Sequence, residues 1–330
     1  MIPIVYASSE EFAPIMCVSI ASLLKNRKPE TRYKVYIMSA ERFSEETMKM
    51  LSRVFESDPD TVVEWVEMHD RFKRTRVNAA GVGKESNYRL LIAELLQEEK
   101  CVYLDADTLI CGDLSEFFST NIDDYFIAGL HPEYFLWKTT ENYTHAHYDR
   151  FEKMIRKHTG MLRYDQYVGA GVLLMNLKKL REDGMVARFL AEVPLYSGPQ
   201  DQDILNACCY GRILTFSSAY CVDLHETEKV EWYVKYKPEL YPMVSRAMEH
   251  PLIIHFSDRY KPWLYIGIRY ETLWWEYAFS SGAAGVLWNT FAERYIRDTD
   301  YEVELARVTH SISYRVGRAL TLIPRVLLKK

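Results

Sequence analysis

The sequence predicts an α/β fold with a largely parallel sheet, and three observations support this class. Apolar segments of strand length alternate with segments of helical periodicity through the first 105 residues. The strand-like segments are apolar throughout, which is typical of strands buried on both faces of a sheet. One of them, 101–104, runs directly into Asp105-Ala106-Asp107, and ligands bind at such carboxyl ends of strands in open α/β sheets.

The individual elements follow from periodicity and from turn residues. Ser44 is a good N-cap for the second helix, and the polar, basic segment 70–86 around Gly81 and Gly83 is predicted to be a surface loop. The aromatic, irregular segment 134–164 is predicted to be an insertion. The predicted strands are 2–7, 34–38, 61–68, 101–105, 126–130, 170–177, 213–216 and 252–256. The predicted helices are 13–25, 44–55, 87–97, 178–192, 203–210 and 305–322.

Composition and charge narrow the class of protein. The chain has 330 residues, of which 48% are hydrophobic and 26% charged, so it can form a large core. Its net charge of −5 argues against a nucleic-acid partner. The six cysteines show no Cys-x-x-Cys spacing, and we find neither a signal peptide nor an apolar run of membrane-spanning length. We therefore expect a cytoplasmic protein with free thiols.

The C-terminal segment differs in charge from the rest. Residues 305–330 hold six basic and no acidic residues, whereas the remainder has 35 basic and 46 acidic ones. Apolar residues recur at spacings of three and four through 305–322, which predicts an amphipathic helix. Such a helix can lie in an anionic membrane surface, or it can dock its apolar stripe on its own domain. The sequence favours the membrane, because the basic excess extends to the last residue.

The Asp105-Ala106-Asp107 turn carries the main chemical signal. In an extended backbone residues two apart point to the same side, so Asp105 and Asp107 can converge on one point while Ala106 points away. Two carboxylates held together repel and lose hydration, and a divalent cation with oxygen ligands, Mn²⁺ or Mg²⁺, relieves this cost. The alternative is a solvated turn without a ligand.

Further along the chain, four polar or glycine-rich stretches accompany predicted strands and helices. Three of them have an ordinary structural explanation: packing for the glycines, helix N-terminal charge for the carboxylates at 201 and 203, and a satisfied core position for the histidine. All four could also serve a ligand. The glycines would allow close backbone approach, and the carboxylates at 201 and 203 could bind sugar hydroxyls. The histidine could be a nitrogen ligand for Mn²⁺, and the lysine could neutralise a phosphate. The four stretches are Gly169-Ala170-Gly171-Val172, Asp201-Gln202-Asp203, His255, and Lys261-Pro262-Trp263.

In this order the motifs resemble those of the bacterial family 8 glycosyltransferases, over about residues 2–280. The resemblance implies a retaining enzyme with a GT-A, Rossmann-like mixed sheet flanked by helices, which uses Mn²⁺ and a UDP-sugar. Within this family the chain resembles the lipooligosaccharide galactosyltransferases, which also end in a basic, membrane-associating tail. We therefore predict a catalytic domain at 1–282 and a helical, basic extension at 283–330.

The resemblance also implies roles for individual residues. Gln202 would face the anomeric carbon, and Asp201 would bind hydroxyls of the donor sugar; these are the predicted catalytic residues. Lys261 would bind the diphosphate. The implied metal ligands are Asp105, Asp107 and His255. The implied donor-binding residues are Ala7, Ser9, Glu11, Arg89, Asp105, Ala106, Gly169, Ala170 and Lys261. The family usually has Asp at the position of Ser9 and Asn at that of Gly169, and Asp258 is an additional carboxylate near the phosphates.

We thus predict transfer of galactose or glucose from a UDP-sugar to a saccharide or glycolipid acceptor of the cell envelope or capsule. Because Gln202 is a poor nucleophile, same-face attack by the acceptor hydroxyl is the favoured route. The protein would be cytoplasmic or peripheral on the cytoplasmic face of the inner membrane. Two alternatives remain, a catalytically silent homologue that binds nucleotide or membrane and a sugar nucleotidyltransferase.

Overall fold

Strands and helices alternate along the chain as predicted. The computed structural model describes residues 1–72, 84–133, 166–193, 201–257 and 261–298. The predicted insertion, most of the 70–86 loop, Asp258 and the predicted helix at 305–322 lie outside these residues. The strands in the described part are β1 Ile2–Ala7, β2 Tyr33–Ser39, β3 Val62–Glu67, β4 Lys100–Leu104, β5 Thr108–Ile110, β6 Ile127–Leu130, β7 Val172–Asn176, β8 Ile213–Phe216, β9 Val222–Asp223 and β10 Ile253–His255.

Helices alternate with these strands along the chain. A 3-10 helix, Lys84–Leu91, precedes the third α-helix. The α-helices in the described part are α1 Ala13–Lys25, α2 Glu45–Glu56, α3 Ile92–Leu95, α4 Ser115–Ser119, α5 Leu177–Glu182, α6 Met185–Glu192, α7 Asp201–Cys209, α8 Leu224–Thr227, α9 Val230–Tyr236, α10 Tyr241–Glu249, α11 Glu271–Ser280 and α12 Ala284–Asp298.

The main sheet has seven strands in the order β3-β2-β1-β4-β7-β6-β8. Strand β7 runs antiparallel to both of its neighbours, and the other paired strands are parallel, so the sheet is mixed but largely parallel as predicted. Strand β4 is central: it pairs with β1 through Tyr6↔Leu104 and with β7 through Leu104↔Val172. The turn after β4 therefore lies between the ends of its two neighbouring strands, β1 and β7.

Two hydrophobic clusters cover the two faces of this sheet, and the central strand shows how the sequence divides between them. Val102 and Leu104 belong to one cluster, whereas Cys101 and Tyr103 belong to the other. Successive side chains of a strand point to opposite faces, so an apolar run of this kind is stable only when both faces are covered. The continuous apolar pattern of the strand is thus explained by burial on both sides.

A second, three-stranded sheet has the order β5-β10-β9. Strand β5 begins directly after Asp107, and its Thr108 pairs with His255 at the end of β10. His255 pairs in turn with Asp223 of β9. The strand predicted at 252–256 therefore exists, but it belongs to this small sheet. Strands β5 and β9 have three and two residues and carry no readable pattern, so they were missed.

Two predicted helices are each divided in the structure. The segment predicted as one helix at 87–97 is the 3-10 helix followed by the short α3. The segment at 178–192 is split between α5 and α6 by Gly184, which has φ +63°. A left-handed residue ends an α-helix, and glycine adopts this conformation without steric cost.

The segment after residue 282 begins with a helix that packs against α11. Leu287 and Phe291 of α12 are buried, and the Trp288 ring lies 5.9 Å from that of Trp275 on α11. In the described part of the chain, every helix is too short or too polar to span a bilayer. The division at 282/283 and the role of the basic tail stay predictions.

Candidate active site

Asp105, Asp107 and His255 lie together at the carboxyl end of β4. One ligand atom from each falls within 4.8 Å of the others. The Nε2 atom of His255 is 3.3 Å from Asp107 Oδ1 and 3.8 Å from Asp105 Oδ2. The sequence predicted the convergence of the two carboxylates, and the pairing of β5 with β10 explains how a residue about 150 positions later joins them. Ala106 packs into the core, as alternation along the chain requires.

The other nitrogen of the His255 ring is held by a carboxylate that the sequence did not reveal. His255 Nδ1 is 3.1 Å from Asp223 Oδ2, and the Ser257 hydroxyl donates to Asp223 Oδ1. A proton on Nδ1 shared with Asp223 leaves Nε2 directed at Asp105 and Asp107. Burial alone would lower the pKa of His255, but the carboxylates of Asp107 and Asp223 raise it to about 10. A divalent cation between Nε2 and the carboxylates of Asp105 and Asp107 would replace the proton that Nε2 carries in the imidazolium form, while the proton on Nδ1 would stay.

Gly171 permits the close approach of the three ligands. Its carbonyl accepts from the Asp105 N–H at 2.8 Å, so the backbone of this residue lies directly against the turn. A Cβ atom at Gly171 would fall 2.6 Å from His255 Nε2 and 2.8 Å from Asp105 Oδ2. Such distances are steric overlaps. Only glycine therefore fits here, which gives the Gly169-Ala170-Gly171 motif a physical reason at its last position.

Lys261 supplies a positive charge beside the cluster. Its Nζ donates to Asp107 Oδ2 at 2.7 Å and also to the carbonyl of Phe256. Burial would raise the pKa of Asp107, but the charges of Lys261 and His255 hold it below its ordinary value. Asp107 is therefore ionised at neutral pH and is shared between the lysine and the position where a cation would bind.

Arg89 lies beneath the cluster and holds three of the predicted site segments together. Its guanidinium is buried, with Nη2 2.7 Å from Asp105 Oδ1 and Nε 3.1 Å from Asp201 Oδ2. Nη1 donates to the carbonyl of Ala170, and the group stacks 4.4 Å from the centroid of the Tyr103 ring. Burial would lower the pKa of Arg89, but the two carboxylates raise it above its ordinary value. Its contacts in the structure are thus with the protein itself.

Gln202 lies beside Ala170 at the start of α7. The Ala170 N–H donates to Gln202 Oε1 at 3.0 Å, and Gln202 Nε2 donates to the Tyr167 hydroxyl at 2.9 Å. Gly169 has room around it, since an added Cβ would come no closer than 3.9 Å to another atom. Burial raises the pKa of the neighbouring Asp201 although Arg89 opposes the change. The structure therefore brings the 169–171 and 201–203 motifs together.

The remaining predicted residues are Ala7, the last residue of β1, and Ser9 and Glu11 in the segment between β1 and α1. It lies at the carboxyl end of β1, next to β4. Glu10, which was not predicted, fixes this segment to α2, because its carboxylate accepts from the Ser44 and Thr47 hydroxyls at 2.7 and 2.6 Å. Phe12 is 45% exposed at the same edge. The sequence pattern alone could not show that Phe12 is exposed, because an aromatic residue at this position could equally belong to the core.

The cluster fits a divalent cation by its chemistry. Two carboxylates and an imidazole suit Mn²⁺, with Mg²⁺ as the harder alternative. The imidazole nitrogen has the orientation that metal-binding histidines have, because a carboxylate fixes the opposite nitrogen. Asp105, Asp107 and His255 would hold the ion.

The mixed seven-stranded sheet has an Asp-x-Asp turn at the end of its central strand β4, and His255 at the end of β10 lies beside that turn; the fold is that of the GT-A class. The family model described as glycosyl transferase family 8 matches residues 3–267. The chain therefore belongs to glycosyltransferase family 8, as the sequence motifs indicated.

Curated relatives agree with this assignment. General stress protein A of Bacillus subtilis is 22% identical over 281 residues, which are 79% of this chain and 86% of that protein. Glycosyltransferase GlyD of Streptococcus pneumoniae is 25% identical over 202 residues, 57% of this chain and 20% of that protein. A Haemophilus influenzae relative is 25% identical over 214 residues, and the match spans 60% of its length.

Solved structures share the fold. The galactosyltransferase LgtC, in complex with donor and acceptor sugar analogs, has a TM-score of 0.67 at 21% identity, covering 84% of this chain and 96% of that one. The bifunctional glycosyltransferase WbbM has a TM-score of 0.71 at 18% identity, covering 84% of this chain and 49% of that one. The chain thus spans about half of the WbbM chain. At these identities the likeness establishes the fold alone.

Proposed function

We propose that this glycosyltransferase moves a hexose, galactose or glucose, from a UDP-sugar to a saccharide or glycolipid acceptor of the cell envelope or capsule. The observation that best supports this proposal is the Asp105–Asp107–His255 cluster, in which Lys261 donates a hydrogen bond to Asp107. Opposite charges arranged in this way suit a cation and a diphosphate together. LgtC, whose structure holds donor and acceptor sugar analogs, supports this choice of substrates through its shared fold.

In this proposal Asp105, Asp107 and His255 would hold Mn²⁺ or Mg²⁺, which would supply Lewis-acid stabilisation of the negative charge on the departing diphosphate. Lys261 binds a phosphate oxygen and adds to that stabilisation. Arg89 holds Asp105 and Asp201 in place from beneath, because its three nitrogens are bonded to different parts of the site. Ala7, Ser9 and Glu11 bind the nucleoside from the end of β1, with Phe12 offering a ring face for the base.

The transfer proceeds with retention of anomeric configuration. The bond from the anomeric carbon to the diphosphate oxygen breaks, and the acceptor hydroxyl forms the new bond from the same face. Its proton passes to the departing phosphate oxygen. Gln202 is an amide rather than a carboxylate and its oxygen already accepts from Ala170, which supports a route without a glycosyl-enzyme. Isolation of a glycosyl adduct at Gln202 or Asp201 would overturn this route.

The decisive experiment measures UDP release from a panel of UDP-sugars, with Mn²⁺ and with a chelator. The variants are Asp105→Asn and, as a matched control, Asp124→Asn, which changes an exposed carboxylate on the chain before β6. Metal-dependent turnover of one UDP-sugar, kept by Asp124→Asn and lost by Asp105→Asn, supports the function and names the donor. Tight Mn²⁺-dependent binding of UDP without turnover on any acceptor favours the silent homologue. Absence of both binding and turnover contradicts the proposal.

We also propose that the basic segment 305–330 binds an anionic membrane surface, which would place the enzyme on the cytoplasmic face of the inner membrane. Support comes from its six basic residues and its amphipathic periodicity. The full chain should float with vesicles that contain anionic lipid and not with neutral ones, and salt should release it. Equal binding to neutral vesicles would contradict the electrostatic part of this proposal.

A further inference from the structure

Both ends of the Gln202 side-chain amide have hydrogen-bond partners, and one of these partners admits only an acceptor. The Ala170 backbone N–H is a donor, so the amide atom 3.0 Å away must be the oxygen. The amide nitrogen then faces the Tyr167 hydroxyl at 2.9 Å and donates to it. Reversal of the amide would place two N–H donors against each other at Ala170.

The hydroxyl of Tyr167 can accept from Gln202 because its own proton has another acceptor. Tyr167 Oη donates to Asp203 Oδ1 at 2.8 Å. The hydrogen bonds therefore run in one direction, from the Gln202 amide to the tyrosine and from the tyrosine to the carboxylate. Without an acceptor at residue 203, the hydroxyl proton would compete for the Gln202 oxygen and favour the reversed amide.

The backbone that carries these groups is itself fixed. The Asn206 side chain accepts from the Val168 N–H and donates to the Val168 carbonyl, both at 2.8 Å, and it also donates to the carbonyl of Gln202. The Asn206 side chain thus joins helix α7 to the backbone of Val168, in the segment before β7. What remains adjustable is the direction of the Gln202 amide, which the Ala170 N–H and the Tyr167 hydroxyl fix together.

We propose that Tyr167 and Asp203 are positioning residues that hold the Gln202 amide in a single orientation toward the donor sugar. This inference rests on the proposed function, because that function places the donor sugar beside Gln202. The orientation of the Gln202 amide, in contrast, can be measured without a substrate. A primary amide nitrogen carries two hydrogens, and Tyr167 takes one of them. The fixed amide therefore presents its second N–H and the free lone pair of its oxygen in a constant arrangement, as preorganised catalysis requires.

The substitutions Asp203→Asn and Asp203→Ala distinguish a positioning role of Asp203 from a role in packing alone. Asp203→Asn keeps an oxygen that can accept from the Tyr167 hydroxyl, so it should preserve the orientation. Asp203→Ala removes the acceptor, and Tyr167→Phe removes the hydroxyl with almost no change of volume. A matched control is Tyr36→Phe, because Tyr36 is equally buried and also donates to a carboxylate, that of Glu98 near the amino end of β4.

The first readout needs no substrate. The chain has four glutamines, so selective ¹⁵N-glutamine labelling gives four side-chain amide signals, and Gln202→Ala identifies the one of interest. We expect this signal to be dispersed and slow to exchange with water in the wild type, in Asp203→Asn and in Tyr36→Phe. In Asp203→Ala and Tyr167→Phe it should move toward the shift of an exposed glutamine. An unchanged signal in Tyr167→Phe overturns the inference, and so does an equal change in Asp203→Asn and Asp203→Ala.

The second readout uses the donor identified under the proposed function. Loss of the orienting bond should lower kcat by about 10- to 100-fold in Asp203→Ala and Tyr167→Phe, with KM for the donor changed less than threefold. Asp203→Asn should recover most of kcat. A fall in donor affinity with unchanged kcat overturns the inference. If no UDP-sugar is turned over, the proposed function fails while the amide signals still decide whether Tyr167 and Asp203 orient Gln202. If Asp203→Ala does not fold, Tyr167→Phe and Asp203→Asn carry the comparison.

Discussion

Asp223 Oδ2 lies 3.1 Å from His255 Nδ1, on the side of the imidazole opposite Asp105 and Asp107. Two adjacent strands of the small sheet make this contact, since Asp223 pairs with His255 in register between β9 and β10. The carboxylate therefore sets which nitrogen of the ring can face a cation, although it does not touch the cation position itself.

Asp223→Asn should weaken Mn²⁺ binding by about 10- to 100-fold, because an amide orients the imidazole less firmly and leaves it less basic. Isothermal titration with Mn²⁺ measures this directly. The control is Asp113→Asn, which alters a turn carboxylate bonded to Ser115 and Lys28 away from the cluster. An affinity equal to that of the control would contradict a role for Asp223.

Substitution by alanine should affect cation binding at one glycine of the 169–171 motif and not at the other. Gly171→Ala places a Cβ 2.8 Å from Asp105 Oδ2 and against the His255 ring, so we expect the cation affinity to fall by at least about tenfold. Gly169→Ala meets no atom closer than 3.9 Å and should bind Mn²⁺ as the wild type does. Manganese binding by both variants, with melting temperatures as a check on folding, tests the pair. Equal affinities would show that the ligands can move apart without cost.

Lys261→Met should change cation and nucleotide binding with opposite signs. The lysine competes with a cation for Asp107, to which it is bonded at 2.7 Å, so its removal should strengthen Mn²⁺ binding in the absence of nucleotide. The same charge attracts a diphosphate, so UDP affinity in saturating Mn²⁺ should fall by about tenfold. Lys178→Met, at an exposed lysine near Glu99, is the control. A parallel rise or fall of both affinities would contradict this reading.

Asp203 should make stability fall as pH rises. Burial raises its pKa from 3.8 to about 6, although the hydrogen bond from Tyr167 opposes the change. The folded state therefore holds the proton more tightly than the unfolded state. The stabilisation is complete below about pH 4 and is lost as pH rises through 6. Asp203→Asn should gain about 3 kcal/mol over the wild type at pH 7.5, and this gain should disappear by pH 4.

Urea unfolding at several pH values measures the difference, and Asp58→Asn provides a control of opposite sign. Asp58 is buried and bonded to Arg27 at 2.5 Å, which holds its pKa below the ordinary value despite burial. Its contribution to stability is present at neutral pH and is lost as pH falls toward its folded pKa. Asp58→Asn should therefore be less stable than the wild type at pH 7.5. If Asp203→Asn shows the same sign as Asp58→Asn, the raised pKa of Asp203 is wrong.

The sequence by itself determined the fold class and the centre of the site. The run 101–104 is apolar at every position, so only a strand covered on both faces satisfies it, and ligands bind at the carboxyl ends of such strands in open α/β sheets. Alternation along the chain then placed Asp105 and Asp107 on one side and Ala106 in the core. These conclusions depend on interactions within a few residues, which a sequence pattern can express. The motifs shared with family 8 added the positions of Arg89, Gln202, His255 and Lys261.

Only the tertiary structure decided which distant groups complete the site. Asp223 joins His255 because strands of two and three residues pair, and elements so short leave no periodicity to detect. Tyr167 reaches Gln202 because Asn206 joins the backbones of two segments nearly 40 positions apart, a contact that no local pattern contains. Gly171 is required because His255 packs against it. Local patterns specify elements, whereas the orientation of side chains in the site depends on long-range packing and hydrogen bonding between those elements.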